Sequence, residues 1–161
     1  MTGQATVDLL RQTKLAVELD DAEAKVLAER VTVRDLADGE ILCDEGRSDD
    51  RVHAILSGAI AVAKRQPDGA YLNLNVLTTG DLVGELAFMD GKPHYAALKA
   101  LGPTRVLSLS REALEQLLDT HPRAVYHVMR AIFRVVHAIL HRMGAQQSEL
   151  TNYIYKLHGK Y

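Results

Sequence analysis

Five glycines, Gly39, Gly46, Gly58, Gly69 and Gly80, fall 7 to 12 residues apart along the middle of this 161-residue chain. Turn residues at that spacing cut a segment into short strands, the pattern of an all-β sandwich or barrel. Ala59-Ile60-Ala61-Val62-Ala63 and Tyr71-Leu72-Asn73-Leu74 flank Asp68-Gly69, a hairpin signal in which the glycine takes the positive φ. Leu72, Leu74 and Val76 alternate with Asn73, Asn75 and Leu77, which predicts that one face of this strand is buried. Glu40-Ile41-Leu42-Cys43 reads as a further strand, and Arg105 to Leu109 closes the sheet. The β region is expected over residues 33–109.

Both flanks read as helix. Over residues 1–32, Val7, Leu10, Lys14 and Val17 mark one helical face, and Val26, Leu27 and Val31 continue at helical spacing. Asp20-Asp21-Ala22-Glu23 between them has the form of a capping box. Residues 110–143 form a short and a long helix. Ser110 is the expected N-cap of the first, with Leu114, Leu117 and Leu118 inward, and Pro122 suits the first position of the second, where its missing N–H costs nothing. The long helix is expected to run to about Met143, with Gly144 ending or bending it.

Val125, Val128, Ile132, Val135, Ile139 and Arg142 follow alternating three- and four-residue spacing, with Met129, Val136 and Met143 alongside. A stripe this wide exceeds what one flank of a small domain covers, so residues 122–143 are expected to pair with their copy in a parallel homodimer. In the tail, residues 144–161, Leu150, Ile154 and Leu157 share one helical face. That face is expected to fold back on the body, the alternative being that it docks a protein partner.

Composition narrows the function classes. A chain that is 47% hydrophobic and of this length forms one domain with its own core. The net charge of -2 gives no electrostatic case for nucleic acid or membrane, although six Lys/Arg against Glu149 alone leave the stretch from His121 onward basic. Direct DNA binding is not expected, since no reading element accompanies that charge. Cys43 is the one cysteine, which excludes an internal disulfide and reads as a small buried hydrophobe. The N-terminus lacks a signal-peptide pattern, and His127, Arg130, Arg134 and His137 interrupt the most apolar run, so a soluble cytoplasmic protein is expected.

The chemistry concentrates in Gly84-Glu85-Leu86-Ala87 and Pro93-His94-Tyr95-Ala96. A glycine before a short helical turn lets backbone amides approach an anion, and a carboxylate such as Glu85 accepts from a ribose hydroxyl. Leu36-Ala37-Asp38-Gly39-Glu40, Glu45-Gly46, Val52 to Val62 and Thr79 to Gly84 stand in order ahead of it. Together these motifs resemble the sensory domain of the catabolite activator (Crp/Fnr) family, a cyclic nucleotide-binding domain, over roughly residues 20 to 143. The resemblance implies a fold that is mainly β with flanking helices: a double-stranded β-helix, or jelly roll, followed by a long C-terminal dimerisation helix. It also implies a phosphate-binding cassette with Gly84, Glu85, Leu86, Ala87, His94, Tyr95 and Ala96 as the ligand-binding residues, and cAMP or cGMP as the ligand.

The cassette departs from the family pattern at its centre. His94 stands where the family carries an Arg that clamps the cyclic phosphate, and Tyr95 replaces the small residue after it. An Arg keeps its charge and binds phosphate bidentately, whereas His is shorter and mostly neutral near pH 7. Tyr95 is expected to fill part of the pocket. Counting from Pro122, the family's purine-contacting hydroxyl positions fall on Ile139 and Leu140, both apolar.

No catalytic constellation is present, and no metal site is expected. His137 and His141 lie four apart on one helix face but read as part of a solvated polar stripe with His127, Arg130 and Arg134. The winged helix-turn-helix of the transcriptional relatives needs more chain than remains after the long helix. The expectation is a stand-alone, non-enzymatic regulatory module that senses a small anionic ligand and signals through its long helix. The alternatives are a ligand-free dimeric interaction module and, further off, a transcriptional regulator acting with a separate DNA-binding partner.

Overall fold

The computed structural model describes residues 3–158, with side chains described through Lys156. Helix α1 (Gly3–Arg11) stops early. The Thr13 hydroxyl and backbone N–H both donate to the Leu10 carbonyl, at 2.7 and 3.0 Å, and a single 3-10 turn follows at Lys14–Ala16. This tighter turn rotates the buried face, so Leu10, Leu15, Ala16 and Leu19 are inside. Val17, expected on the inner face, is 69% exposed. Helix α2 (Asp21–Ala28) starts with the capping box: Asp20 accepts from the Glu23 N–H at 2.8 Å, and Glu23 accepts from the Asp20 N–H at 3.0 Å. Val31, expected to continue the helix, instead opens strand β1 (Val31–Leu36), because the β-branched run Val31-Thr32-Val33 favours the pleated backbone.

Six antiparallel strands then form one sheet that folds over as a jelly roll. The two long strands, β3 (Arg51–Arg65) and β6 (Ala97–Ser110), pair along most of their length. β1 and β2 (Ile41–Cys43) lie along β6; β4 (Tyr71–Thr78) and β5 (Leu82–Val83) lie along β3. Gly58 makes the bend possible. Its φ is +84°, and the β3–β6 register shifts on either side of Ser57 as the chain turns over Thr104. The Thr104 hydroxyl takes up the bulge by donating toward the Ala59 and Gly102 carbonyls at 3.1 and 3.0 Å.

The roll interior is packed with Leu36, Ile55, Ile60, Val62, Leu98 and Val106. A second core lies between roll and helices, where Leu10, Leu15, Leu27, Phe88, Leu107, Val128 and Ile132 meet. Strand β4 departs from expectation. Leu72, Leu74 and Val76 are 53%, 50% and 46% exposed. β4 is the edge of the sheet, paired only to β3, and no described element packs over that face of the hairpin.

Three further helices complete the chain. The short α3 (Glu85–Asp90) belongs to the cassette. The Ser110 hydroxyl accepts from the Ala113 N–H at 3.1 Å and caps α4 (Arg111–Glu115). Leu114 and Leu117 are buried, but Leu118, expected inward, is 51% exposed. Past Glu115 the backbone tightens to three-residue bonds, Leu117 to Leu114 and Leu118 to Glu115, and these rotate Leu118 outward.

Helix α5 (Pro122–His158) begins at the proline and runs for 37 residues. It passes through Gly144 without ending, contrary to expectation. An interior glycine costs about 1 kcal/mol against alanine, too little to break a helix continued by Ala145, Gln146, Gln147, Glu149 and Leu150. The tail therefore does not fold back: Leu150 and Ile154 are 61% and 47% exposed, and the side chain of Leu157 lies outside the described residues.

The stripe expected to pair with a second copy packs mostly on the chain itself. Val125, Val128 and Ile132 are buried in the chain's own core. One position round the helix, Tyr126, Phe133 and Leu140 recur every seventh residue, each exposed by 58% or more, and Met143 and Leu150 extend the row. Three of the polar residues read as a solvated stripe, His127, Arg130 and Arg134, fasten α5 to the N-terminal segment instead. Glu18 pairs with Arg130 at 3.2 Å and with Arg134, and Glu23 Oε2 meets His127 Nδ1 at 2.8 Å. No described helix is long and apolar enough to cross a membrane.

Candidate functional site

Gly84, at φ +76°, turns β5 sharply into α3. A side chain there is barred twice. A Cβ would lie 3.0 Å from the Arg51 carbonyl oxygen, and the left-handed conformation penalises any L residue. Glu85 follows at the first helical position, half-buried. Burial pushes its carboxyl above the usual 4.5, only partly offset by its own backbone N–H. Among the described residues no cation pairs with it. Ala87 and Phe88 are buried, whereas Leu86 is exposed. Phe88 ties the cassette to the rest of the protein, since it packs in the same core as Val125, Val128 and Ile132 of α5.

The second half of the cassette is arranged differently from expectation. Tyr95 is 64% exposed and fills no pocket. Its neighbours His94 and Ala96 are buried instead. His94 is 8% exposed, and its backbone pairs with the loop after β2: its N–H donates to Arg47 at 2.9 Å and its carbonyl accepts from Gly46 at 2.8 Å. The ring lies beneath Gly84, with Cε1 3.5 Å from where a Cβ on that glycine would stand. Burial holds the His94 pKa below 6.5; Asp49 works against this and His53 with it. The ring is therefore uncharged at neutral pH and supplies no substitute for a permanently charged guanidinium.

Beneath the cassette is a buried polar group that motif reading passed over. His53, on β3, places Nδ1 2.7 Å from Ser108 Oγ and Nε2 3.1 Å from Asp49 Oδ2. Burial pushes the Asp49 carboxyl up, but the His53 hydrogen bond and the neighbouring His53 and Arg51 outweigh it, holding the group below its ordinary range. Cys43 is buried as expected, and its thiol is pushed up to about 11 by burial, then by Asp49 and Asp44. Cys43, His53 and Ser108 come from three strands and Asp49 and His94 from two loops, and no local spacing announces them.

Two clefts open on the surface. One, of about 300 Å³, is lined by Ser48, Asp49, Asp50, Arg51, Gly91 and Arg111, so Asp49 stands both in the cluster and at the surface. The other, of about 230 Å³, runs between α5 and the roll beside Lys14, Asp81, Leu82, Arg134, Ile139 and Arg142. Lys14 bonds Asp81 at 2.6 Å across its floor. Of the two positions expected near a purine, Ile139 lines this groove and Leu140 points away, 62% exposed.

A jelly roll with a short helical cassette after β5 and a long helix packed across it is the architecture of a cyclic nucleotide-binding domain. Residues 33–121 match the cyclic nucleotide-binding domain family, and the chain belongs to it. It is similar to the CRP-like cAMP-activated global transcriptional regulator of Mycobacterium tuberculosis, 24% identical over 127 residues that cover 79% of this chain and 57% of the relative. A cyclic nucleotide-binding domain from Methylobacillus flagellatus KT superposes with a TM-score of 0.74 at 25% identity, covering 87% of this chain and 79% of that one. The N-terminal domain of a transcriptional regulator from Streptomyces coelicolor A3(2) gives 0.70 at 29% identity, covering 84% and 95%.

Proposed function

We propose that this protein is a regulatory domain whose cassette takes a ribose-bearing small anion, such as a cyclic nucleotide or a relative of one. Glu85 is the principal anchor, no cationic clamp contributes, and occupancy is passed to α5. The observation that carries this reading is the state of Glu85. A half-buried carboxyl with no cationic partner opposes folding at neutral pH, and it follows directly on a left-handed glycine pressed against the Arg51 carbonyl. A ligand hydroxyl donating to that carboxylate supplies the partner the fold withholds. Phe88 offers the route outward, because any shift of α3 repacks the core it shares with Val128 and Ile132.

The output element is α5, acting as a parallel homodimer through Tyr126, Phe133, Leu140, Met143 and Leu150. Apolar residues at seven-residue intervals with partners three positions on form the seam of a two-stranded coiled coil. Partner and ligand together make this a signal-transducing rather than a catalytic domain. A second reading, a ligand-free interaction module, is favoured by the buried, uncharged His94 and by the filled roll interior.

Glu85→Gln separates the two readings. Because the folded carboxyl titrates above the unfolded one, the stability it contributes is fully present at acid pH and is lost as pH rises through the folded value. The variant should therefore melt roughly 2–4 °C above wild type at pH 7.5, with the two curves converging below about pH 4, while its response to nucleotides disappears. A variant no more stable than wild type at pH 7.5 contradicts an acid held against its own preference.

A further inference from the structure

We infer that Cys43, Asp49 and His94 form a binding site for a divalent transition-metal ion of the zinc class, set beneath the cassette and oriented by His53. The Cys43 sulfur, an Asp49 carboxylate oxygen and a His94 ring nitrogen all lie within 4.8 Å of one another. Zinc bonds of about 2.0–2.3 Å place tetrahedral ligand atoms roughly 3.5 Å apart, so side-chain rotations of about an ångström close the set. Thiolate, imidazole and carboxylate on one ion are the donors zinc takes, and three protein ligands leave a fourth position open.

The observation that points to a ligand, rather than to a chance cluster, is His94. It is 8% exposed, and its Nε2 is buried without a hydrogen-bond partner. A buried ring nitrogen left unsatisfied is costly. A metal ion satisfies it. Asp49 carries the support such sites use: His53 Nε2–H donates to one carboxylate oxygen, and the Ser108 hydroxyl donates to His53 Nδ1, which fixes the tautomer and leaves the other oxygen of Asp49 available. Asp49 also borders the cleft beside Arg51 and Arg111, which gives the ion a path from solvent. On binding, the Cys43 thiol gives its proton to solvent and the thiolate takes the metal. The backbone pairing of His94 with Gly46 and Arg47 then joins the loop after β2 to the cassette through the ion as well. This site does not depend on what the cassette binds.

The test uses the whole purified chain, stripped with a chelator and titrated with Zn²⁺ against a metallochromic indicator, and separately with Co²⁺. The expected result is one equivalent bound at micromolar affinity or tighter, with a thiolate-to-cobalt charge-transfer band in the near ultraviolet. Cys43→Ser should abolish that band, and His53→Gln should weaken binding about 10–100-fold. The exposed pair His137 and His141 is the rival metal site, so His137→Gln with His141→Gln should change nothing. The band is read on the wild-type protein, so the test survives a variant that fails to fold. No bound metal, binding without the band, or binding lost in the His137/His141 variant and kept in Cys43→Ser would each overturn the assignment.

Discussion

Phe133→Asp combined with Leu140→Asp should give a folded monomer where wild type is expected to pair through α5. Both side chains are exposed on the single chain, 66% and 62%, so charging them leaves the chain's own core intact. In a paired helix the same positions face each other across a dry seam, where an unpaired carboxylate is strongly unfavourable. Central interface residues cost about 2 kcal/mol or more each, so the double variant should weaken association by roughly a thousandfold. Light scattering on a sizing column from 1 to 100 µM reads the result directly. Wild type should elute at twice the 17.8 kDa chain mass and the variant at the chain mass, with unchanged melting of the dilute monomer. Wild type at the single-chain mass throughout would remove the dimer from the account, and a variant that stays dimeric would place the seam elsewhere.

Gly58→Ala should be the most damaging single methyl the roll can receive. A Cβ there would stand 2.5 Å from Thr104 Oγ1, 2.6 Å from the Pro103 carbonyl oxygen and 2.8 Å from Thr104 Cα. Two of those three atoms are backbone, so no rotamer change relieves the clash. The left-handed φ adds about 1–2 kcal/mol for an L residue, and forced overpacking about 1–3. Together they should lower the melting temperature by roughly 10 °C in a chain of this length. Gly69→Ala is the internal control. Its φ of +85° is nearly the same, but no atom lies within 4 Å of the added Cβ. It should therefore show the backbone term alone, about a third to a half of the loss. Equal losses at the two glycines would mean that the Thr104 bulge has slack to yield.

These two predictions also mark what was legible before the fold was known. Local signals read correctly because their physics is local. Asp20 and Glu23 close a capping box within one turn, Ser110 caps α4, Pro122 starts α5, and Gly69 turns the β3–β4 hairpin. The turn at Gly84 into a short helix was visible for the same reason.

Readings failed where a neighbour in space decided the outcome. The alternation in β4 promised a buried face, but burial needs an element on top, and the edge of this sheet has none. The stripe expected to form a dimer seam on α5 is instead largely covered by the chain's own core, and the exposed apolar row lies beside it. Which edge of it faced home depended on the Glu18 and Glu23 contacts that set the helix's rotation. Val17 was lost to a change of pitch at Thr13. The cluster under the cassette was the least legible. Cys43 and His94 stand 51 residues apart in the sequence, and they meet through the β2–β6 pairing and the bonds of Gly46 and Arg47 with His94.

His94 links the two proposals while keeping them separable. Its inward turn removes the clamp a cyclic phosphate would use and at the same moment delivers a buried ring nitrogen to Cys43 and Asp49. Measurements of nucleotide binding made in chelator test the cassette alone, and metal titrations made without nucleotide test the cluster alone.

The central claim is that Glu85, without a cationic clamp, anchors the ligand. The most direct test is a thermal-shift titration of wild type and Glu85→Gln in chelator with cyclic AMP, cyclic GMP, cyclic dinucleotides and linear nucleotides. A ligand at a hundred times its dissociation constant adds about 2.7 kcal/mol, well within reach of the measurement. The account predicts a shift with at least one of these ribose-bearing anions, half-saturating above about 10 µM because a charge-assisted contact of about 1.5–3 kcal/mol is missing, and absent in Glu85→Gln. Saturation below that concentration, a shift that persists in the variant, or no shift with any of them would contradict it.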